Sequence, residues 1–221
     1  MGTPALPDAQ ITLVLSNRKA AYGLARAAQS DPPIPTAHLA LKPYLNQNPG
    51  ATRKDYDTEI AKIVLRERPD VVVLAGWMHI LGEGFLELVD GRKQVEGNDE
   101  LSELSVTKPI AVINLHPALP DQFDGAGAIE RAYEAFQKGE IAYSGAMVHR
   151  VVKDVDKGEP IIIRQVDFVK GESIEEYETR LHLVEHEIIV EATSKVLDEV
   201  KPLTVSLYFV LRLIRLKTVH F

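Results

Sequence analysis

The sequence predicts an α/β protein with a doubly wound, mostly parallel sheet, and three observations carry that reading. Short apolar runs alternate with segments whose apolar residues recur at helical spacing. Val71-Val72-Val73-Leu74-Ala75 is a continuous apolar run, as suits a central parallel strand buried on both faces. Ile110-Ala111-Val112-Ile113 is a second such run, and it delivers two polar residues, Asn114 and His116, to the point where strand becomes loop. In open α/β sheets that edge is where ligands bind.

The elements follow in order. Residues 11–15 are a short apolar strand, and residues 19–28 a helix ending near Asp31-Pro32-Pro33. Residues 35–41 suit a second strand. Residues 55–67 place Tyr56, Ile60, Ile63 and Val64 at helical spacing, and Pro69 ends that helix. After the strand at 71–75, residues 82–89 form a helix and residues 91–108, polar and aperiodic, a surface loop. The strand at 110–114 is followed by a helix at 127–137 with Ile129, Ala132, Tyr133 and Phe136 inward. Residues 145–152 and 160–168 are strands flanking a loop that contains two aspartates. Ser173-Ile174-Glu175-Glu176 is a capping box. It opens a long helix with Tyr177, Leu181, Val184, Ile188, Ala192 and Val196 along one side.

With 221 residues and 45% hydrophobic content, one domain with a sizeable core is expected. The net charge of −7 argues against a nucleic-acid partner, whose binding surface is normally basic. The absence of cysteine excludes disulfides, thiolate catalysis and cysteine-ligated metal sites, and fits a reducing compartment. Met1-Gly2-Thr3-Pro4-Ala5-Leu6 lacks the basic and apolar regions of a signal peptide, and Leu6 stands where a myristoylation motif needs Ser or Thr. A cytoplasmic location without a membrane partner is therefore expected.

Asn114 and His116 are two residues apart and so share one face of an extended segment. Pro117 then stops regular pairing. An amide for an oxyanion, an imidazole for proton traffic and a carboxylate from Asp154-Val155-Asp156-Lys157-Gly158 make an acyl-transfer set. On their own, the same residues also describe a capped strand end beside a solvated carboxylate. A second pattern points elsewhere. His182-Leu183-Val184-Glu185-His186 fits H-x-x-E-H on a helix, the inverted zinc-protease motif, although a zinc protease needs a further ligand.

The longer pattern decides between them. Ala75-Gly76-Trp77-Met78-His79-Ile80-Leu81, Asn114-Leu115-His116-Pro117-Ala118-Leu119-Pro120, Met147-Val148-His149 and Asp154-Val155-Asp156-Lys157-Gly158-Glu159-Pro160 occur in that order. Together they resemble the phosphoribosylglycinamide formyltransferases, folate-dependent enzymes of purine biosynthesis. Ser16-Asn17-Arg18-Lys19-Ala20-Ala21-Tyr22-Gly23-Leu24 and Ala128-Ile129-Glu130-Arg131-Ala132-Tyr133 resemble the monofunctional fungal forms in particular, and the likeness runs from about residue 11 to about residue 200. The resemblance implies transfer of a formyl group from 10-formyltetrahydrofolate to the amine of glycinamide ribonucleotide, with no metal. It places the oxyanion donor at Asn114, the proton donor at His116 and the carboxylate that raises its pKa at Asp156, seven residues after His149. Asp154 is the nearby competitor for that last role. It places folate binding at Arg53, Met78, His79, Ile80, Leu81, Asn114, Val152, Asp154 and Asp156, and binding of the glycinamide substrate at Pro117 and Glu185, the latter against its ribose. His38, His149 and His220 are read as ordinary structural or solvated histidines.

Two departures from the pattern complete the expectation. Family members open with a strand and a Gly-x-Gly-x-Asn loop whose N–H groups bind the substrate phosphate. Here residues 11–15 match the family's second strand with no Gly-rich loop before it. The first strand is expected to be missing, which leaves pairing edges on both of its neighbours. Residues 1–202 are thus expected to form an N-terminally incomplete formyltransferase domain. Residues 203–221 form an atypical apolar and basic tail, shorter and more charged than a membrane span. Oligomerisation is left open. The alternatives are another folate-dependent formyltransferase or hydrolase, a non-catalytic folate-binding product, and the H-x-x-E-H metallohydrolase.

Overall fold

The computed structural model describes residues 6–95 and 104–200. Six strands and six helices occur among the described residues. In chain order they are β1 (Val14–Ser16), α1 (Tyr22–Gln29), β2 (Thr36–His38), α2 (Leu41–Gln47), α3 (Arg53–Arg66), β3 (Val71–Leu74) and α4 (Glu83–Val89). Then follow β4 (Ala111–His116), α5 (Ala128–Gln137), β5 (Tyr143–Arg150), β6 (Pro160–Asp167) and α6 (Ile174–Val200).

β4 organises the molecule because its two faces enter two different cores. Ile113, fully buried, and Leu115 belong to a cluster with α5, β5, β6 and α6, among them Ala132, Val148, Tyr177, Leu181 and Ile188. Val112, on the other face, joins Tyr56, Ile60, Leu65 and Phe85 from α3 and α4. Helices therefore cover both sides of the sheet, the α/β arrangement expected. The long apolar stripe of α6 lands as its spacing dictates: Tyr177, Leu181, Ile188, Ala192 and Val196 are all fully buried. Each buried Leu or Ile of that row contributes roughly 1.5–3 kcal/mol. Ser173 and Glu176 close the capping box, with Ser173 N–H donating to Glu176 Oε2 at 2.7 Å and Glu176 N–H to Ser173 Oγ at 3.3 Å.

The sheet is mixed and comes in two pieces. β3 and β4 run parallel, whereas β4–β5 and β5–β6 are antiparallel. β1 and β2 form a separate parallel pair. Among the described residues β1 and β2 pair only with each other, and β3 and β6 are the edge strands of the four-stranded piece. Open pairing on one side also explains why β3 is not buried on both faces: Val73 is 37% exposed.

Three further differences have physical causes. α2 has no buried residue and carries Pro43 in its first turn, where the missing N–H costs nothing, so apolar periodicity does not reveal it. The stretch 91–108 is tied down at its described ends: Val95 is buried, its N–H donates to Ser105 Oγ at 3.0 Å, and Leu104 and Val106 pack on the α3–α4 core. β4 extends through His116 rather than ending at Asn114, because both residues pair with β5. The expected tail at 203–221, with His220, lies outside the described residues. No helix among the described residues is long and apolar enough to cross a membrane.

Candidate active site

Antiparallel register builds the site. Asn114 lies opposite His149 and His116 opposite Met147, so the two polar residues of β4 share a face with His149 of β5. The β5–β6 connection folds back over that face and brings Asp156 to them. Gly158 permits the fold-back, since a Cβ there would sit 1.6 Å from the Arg150 carbonyl oxygen. Asp156 itself adopts a left-handed backbone with φ 55°, a conformation aspartate tolerates better than most residues.

The Asp156 carboxylate is the hub of a buried polar cluster. Its Oδ1 lies 3.4 Å from His149 Nε2 and accepts from Asn114 Nδ2 at 3.4 Å. Its Oδ2 accepts from Gly125 N–H at 2.8 Å and lies 3.5 Å from His116 Nδ1. The side chains of His116, His149 and Asp156 are 4%, 3% and 8% exposed. Hydrogen bonding to His149 holds the Asp156 carboxyl at about 2; burial opposes this, and the Gly125 N–H and both imidazoles reinforce it.

His116 shows the opposite balance. Burial lowers its pKa, and the raising influences of Asp156 and the Gln122 carbonyl do not overcome that. The expectation that Asp156 raises the imidazole is therefore met in direction but not in outcome, because removal from water is the larger effect. A ring with a depressed pKa is neutral near pH 7 and suited to accepting a proton.

His149, read from the sequence as an ordinary histidine, is part of this cluster. Its Nδ1 lies 2.9 Å from the Arg150 carbonyl oxygen, which accepts the Nδ1 proton. Its Nε2 faces Asp156 Oδ1 at 3.4 Å, and Asn114 Nδ2 lies 3.2 Å from the same nitrogen. The Asn114 amide donates to Asp156 Oδ1 at 3.4 Å, so the carboxylate gathers both His149 and Asn114. The signal that could have found His149 is the cross-strand pairing itself, together with its fixed distance from Asp156.

The other expected residues divide by location. Met78 and Ile80 project into solvent, 69% and 62% exposed, while Leu81 is buried beneath them. Val152 is 45% exposed, and Lys153 Nζ bridges to Glu83 Oε1 at 2.9 Å, joining that loop to the segment after β3. His79 is half-buried, edge-on to Trp77 and Tyr56. Arg53 does not project freely: it bonds Asp57 and the Ile80 carbonyl. Asp154 is exposed and outside the cluster around His116, and Pro117 directly follows β4. Glu185 is buried on the inner stripe of α6, which raises its pKa, and His182 Nε2, 3.7 Å from its Oε2, acts the other way. His182 and His186 both face outward, and among the described residues no group of three ligand-type side chains could hold a metal.

A half-buried amide with a buried imidazole and carboxylate at one end of an inner strand is the site of an α/β group-transfer enzyme. The formyl transferase family model matches residues 4–93 and 102–193. Phosphoribosylglycinamide formyltransferase of Schizosaccharomyces pombe is 44% identical over 88% of this chain and 86% of its own length. That of Saccharomyces cerevisiae is 40% identical over 87% and 85%. Among solved structures, the phosphoribosylglycinamide formyltransferase of Campylobacter jejuni aligns with a TM-score of 0.67 at 29% identity, covering 85% of this chain and 81% of that one. The chain belongs to the phosphoribosylglycinamide formyltransferase family.

Proposed function

We propose that this chain transfers the formyl group of 10-formyltetrahydrofolate to the amine of 5′-phosphoribosylglycinamide, a step of purine biosynthesis. The observation that carries this reading is the convergence of Asn114, His116 and Asp156 in a chain of this family. The folate supplies an activated formyl carbon; the protein supplies orientation and proton movement. Met78, Ile80 and Val152 give the apolar surface for the ring system, and the residues around β4 face the reacting carbon.

Asn114 directs an amide N–H at the formyl oxygen as negative charge gathers there. Its bond to Asp156 is long, at 3.4 Å, and is the one released. Losing such a donor typically costs about 3 kcal/mol of transition-state stabilisation. His116, neutral in its buried setting, takes the proton that the substrate amine loses on forming its bond to the formyl carbon. It returns a proton to the folate nitrogen as the old carbon–nitrogen bond breaks. Asp156 stabilises the transient imidazolium, aided by a negative charge that persists at any working pH. Glu185, through its family position, binds the substrate ribose.

The test is to supply the full-length protein with 10-formyltetrahydrofolate and glycinamide ribonucleotide, following the folate product by absorbance and the formylated ribonucleotide by mass spectrometry. Formylation that needs both compounds and is lost in His116→Ala supports the reading. Release of formate, formylation of a different amine, or folate binding without turnover overturns it.

A further inference from the structure

The loop between β4 and α5 is held in a shape that few sequences adopt unaided. Asp121, Phe123, Gly125 and Gly127 all have left-handed backbone, with φ of 62°, 52°, 81° and 67°. For a residue as bulky as Phe123 that conformation persists only where its surroundings enforce it. On one side the enforcement comes from Arg131 of α5. Its terminal nitrogen donates to the Phe123 and Asp124 carbonyls at 2.6 and 2.8 Å, and its Nε to that of Gly127 at 3.2 Å. On the other side stands Lys157, the residue directly after Asp156. Its ammonium lies 3.0 Å from Asp121 Oδ1 and 2.7 Å from Asp124 Oδ2, and the two carboxylates raise its pKa. The loop held in this way turns two backbone groups toward the reacting pair. Gly125 N–H donates to Asp156 Oδ2 at 2.8 Å, and the Gln122 carbonyl oxygen lies 3.4 Å from His116 Nε2. His149 and Asn114 occupy the other carboxylate oxygen, so the Gly125 bond fixes the rotation of the carboxylate and keeps Oδ2 toward His116.

We propose that Lys157 is a positioning residue for proton transfer: by tying Asp121 and Asp124 to the aspartate loop it keeps the Gly125 N–H on Asp156, and so keeps Oδ2 facing His116. The inference rests on the reading of His116 and Asp156 as the reacting pair. Without the ammonium the loop retains only its Arg131 side. Two aspartates are then left with no cation between them, Gly125 moves off, and the Asp156 carboxylate is free to turn from His116. Lys157 itself needs no contact with either substrate.

Kinetics and amide exchange on the full-length protein decide it. Lys157→Met is expected to lower kcat roughly three- to tenfold, the scale of one or two exposed ion pairs, with both substrate KM values within about twofold. Lys157→Arg, which keeps the charge, is expected to restore kcat to within about twofold of wild type. Asp124→Asn gives the same split as Lys157→Met, and the double variant costs little more than the worse single one. Raising salt to about 1 M, which screens exposed pairs, should bring the wild-type kcat down toward that of Lys157→Met and leave the variant unchanged. Exchange of the Gly125 amide, followed by NMR, should quicken in Lys157→Met and stay slow in Lys157→Arg. An unchanged kcat in Lys157→Met overturns the proposal. So does a lowered kcat with Gly125 exchange unaltered, or a loss that appears in KM instead. A wild-type protein that transfers no formyl group refutes the reading of the reacting pair and with it the catalytic part of the proposal, while Gly125 exchange still decides whether Lys157 holds the loop.

Discussion

Replacing Asp156 with asparagine removes the one charge on which Asn114, His116, His149 and the Gly125 N–H converge. Its effect on stability can be worked from the structure. A carboxyl held at about 2 against an ordinary 3.8 has its charged form favoured by ~2–3 kcal/mol in the folded state. The folded value lies below the unfolded one. The stabilisation is therefore fully present above the unfolded value, near pH 4, and is lost as pH falls through the folded value near 2. Asp156→Asn should unfold more easily than wild type by about that amount at pH 7. The gap should narrow progressively between roughly pH 4 and pH 2. Guanidinium denaturation of both proteins at pH 7 and at several points below pH 4 measures it.

The same substitution acts on the chemistry. His116 loses the neighbour that favours its charged form, so its pKa, already lowered by burial, should fall further. Loss of assisted proton transfer is on the order of 10²–10⁴-fold in turnover. Because the two residues act as a unit, His116→Ala combined with Asp156→Asn should be little worse than the more damaging single change. Asp154→Asn, in an exposed position, should cost far less. An inactive Asp154→Asn beside a near-normal Asp156→Asn would refute the assignment. A stability gap that stays constant down to pH 2 would refute the electrostatic account of the carboxylate.

Further outcomes follow from the same geometry. The acid limb of kcat/KM in the wild-type enzyme should show an apparent pKa below the ordinary histidine value, since burial dominates His116, and Asp156→Asn should shift that limb lower still. Gly158→Ala should destabilise the β5–β6 connection and abolish turnover, because a methyl group cannot occupy a point 1.6 Å from the Arg150 carbonyl oxygen; thermal denaturation alongside activity checks both. Ile80→Ser should leave stability within about 0.5 kcal/mol, its side chain being 62% exposed, yet raise the folate KM; a large loss of stability would show that Ile80 is core.

Much of this arrangement is legible in the residues, and the illegible part has a common cause. β4 is visible as an apolar run, and the two-residue spacing of Asn114 and His116 already puts them on one face. α6 is visible in its stripe and its capping box. Such signals are local, carried by periodicity or by a short pattern. His149 is not visible because its neighbours in sequence, Val148 and Arg150, say nothing about the strand opposite; only the pairing of Asn114 with His149 reveals its role. Arg53 is readable as a residue of interest, but its grip on Ile80 spans 27 positions, and the partnership with Asp57 has no signature beyond a common i, i+4 pair. Non-local hydrogen bonds are where reading by period and motif stops.

The position of the site on β4 follows from the same division into cores. Val112, Asn114 and His116 share one face of the strand, and of these only Val112 enters the α3–α4 core. Ile113 and Leu115, facing the other way, are gripped by the α5–α6 side along the strand's length. The polar pair therefore stands where one face has left its core while the other is still clamped, so the backbone beneath Asn114 and His116 remains rigid. β5 pairs at those same positions and brings His149 with it, and the aspartate loop needs only to fold back once to complete the set. A strand anchored on one face and released on the other supplies both things that group transfer requires here: polar side chains outside the apolar cores, and a backbone that cannot drift by the ångström that would spoil their alignment.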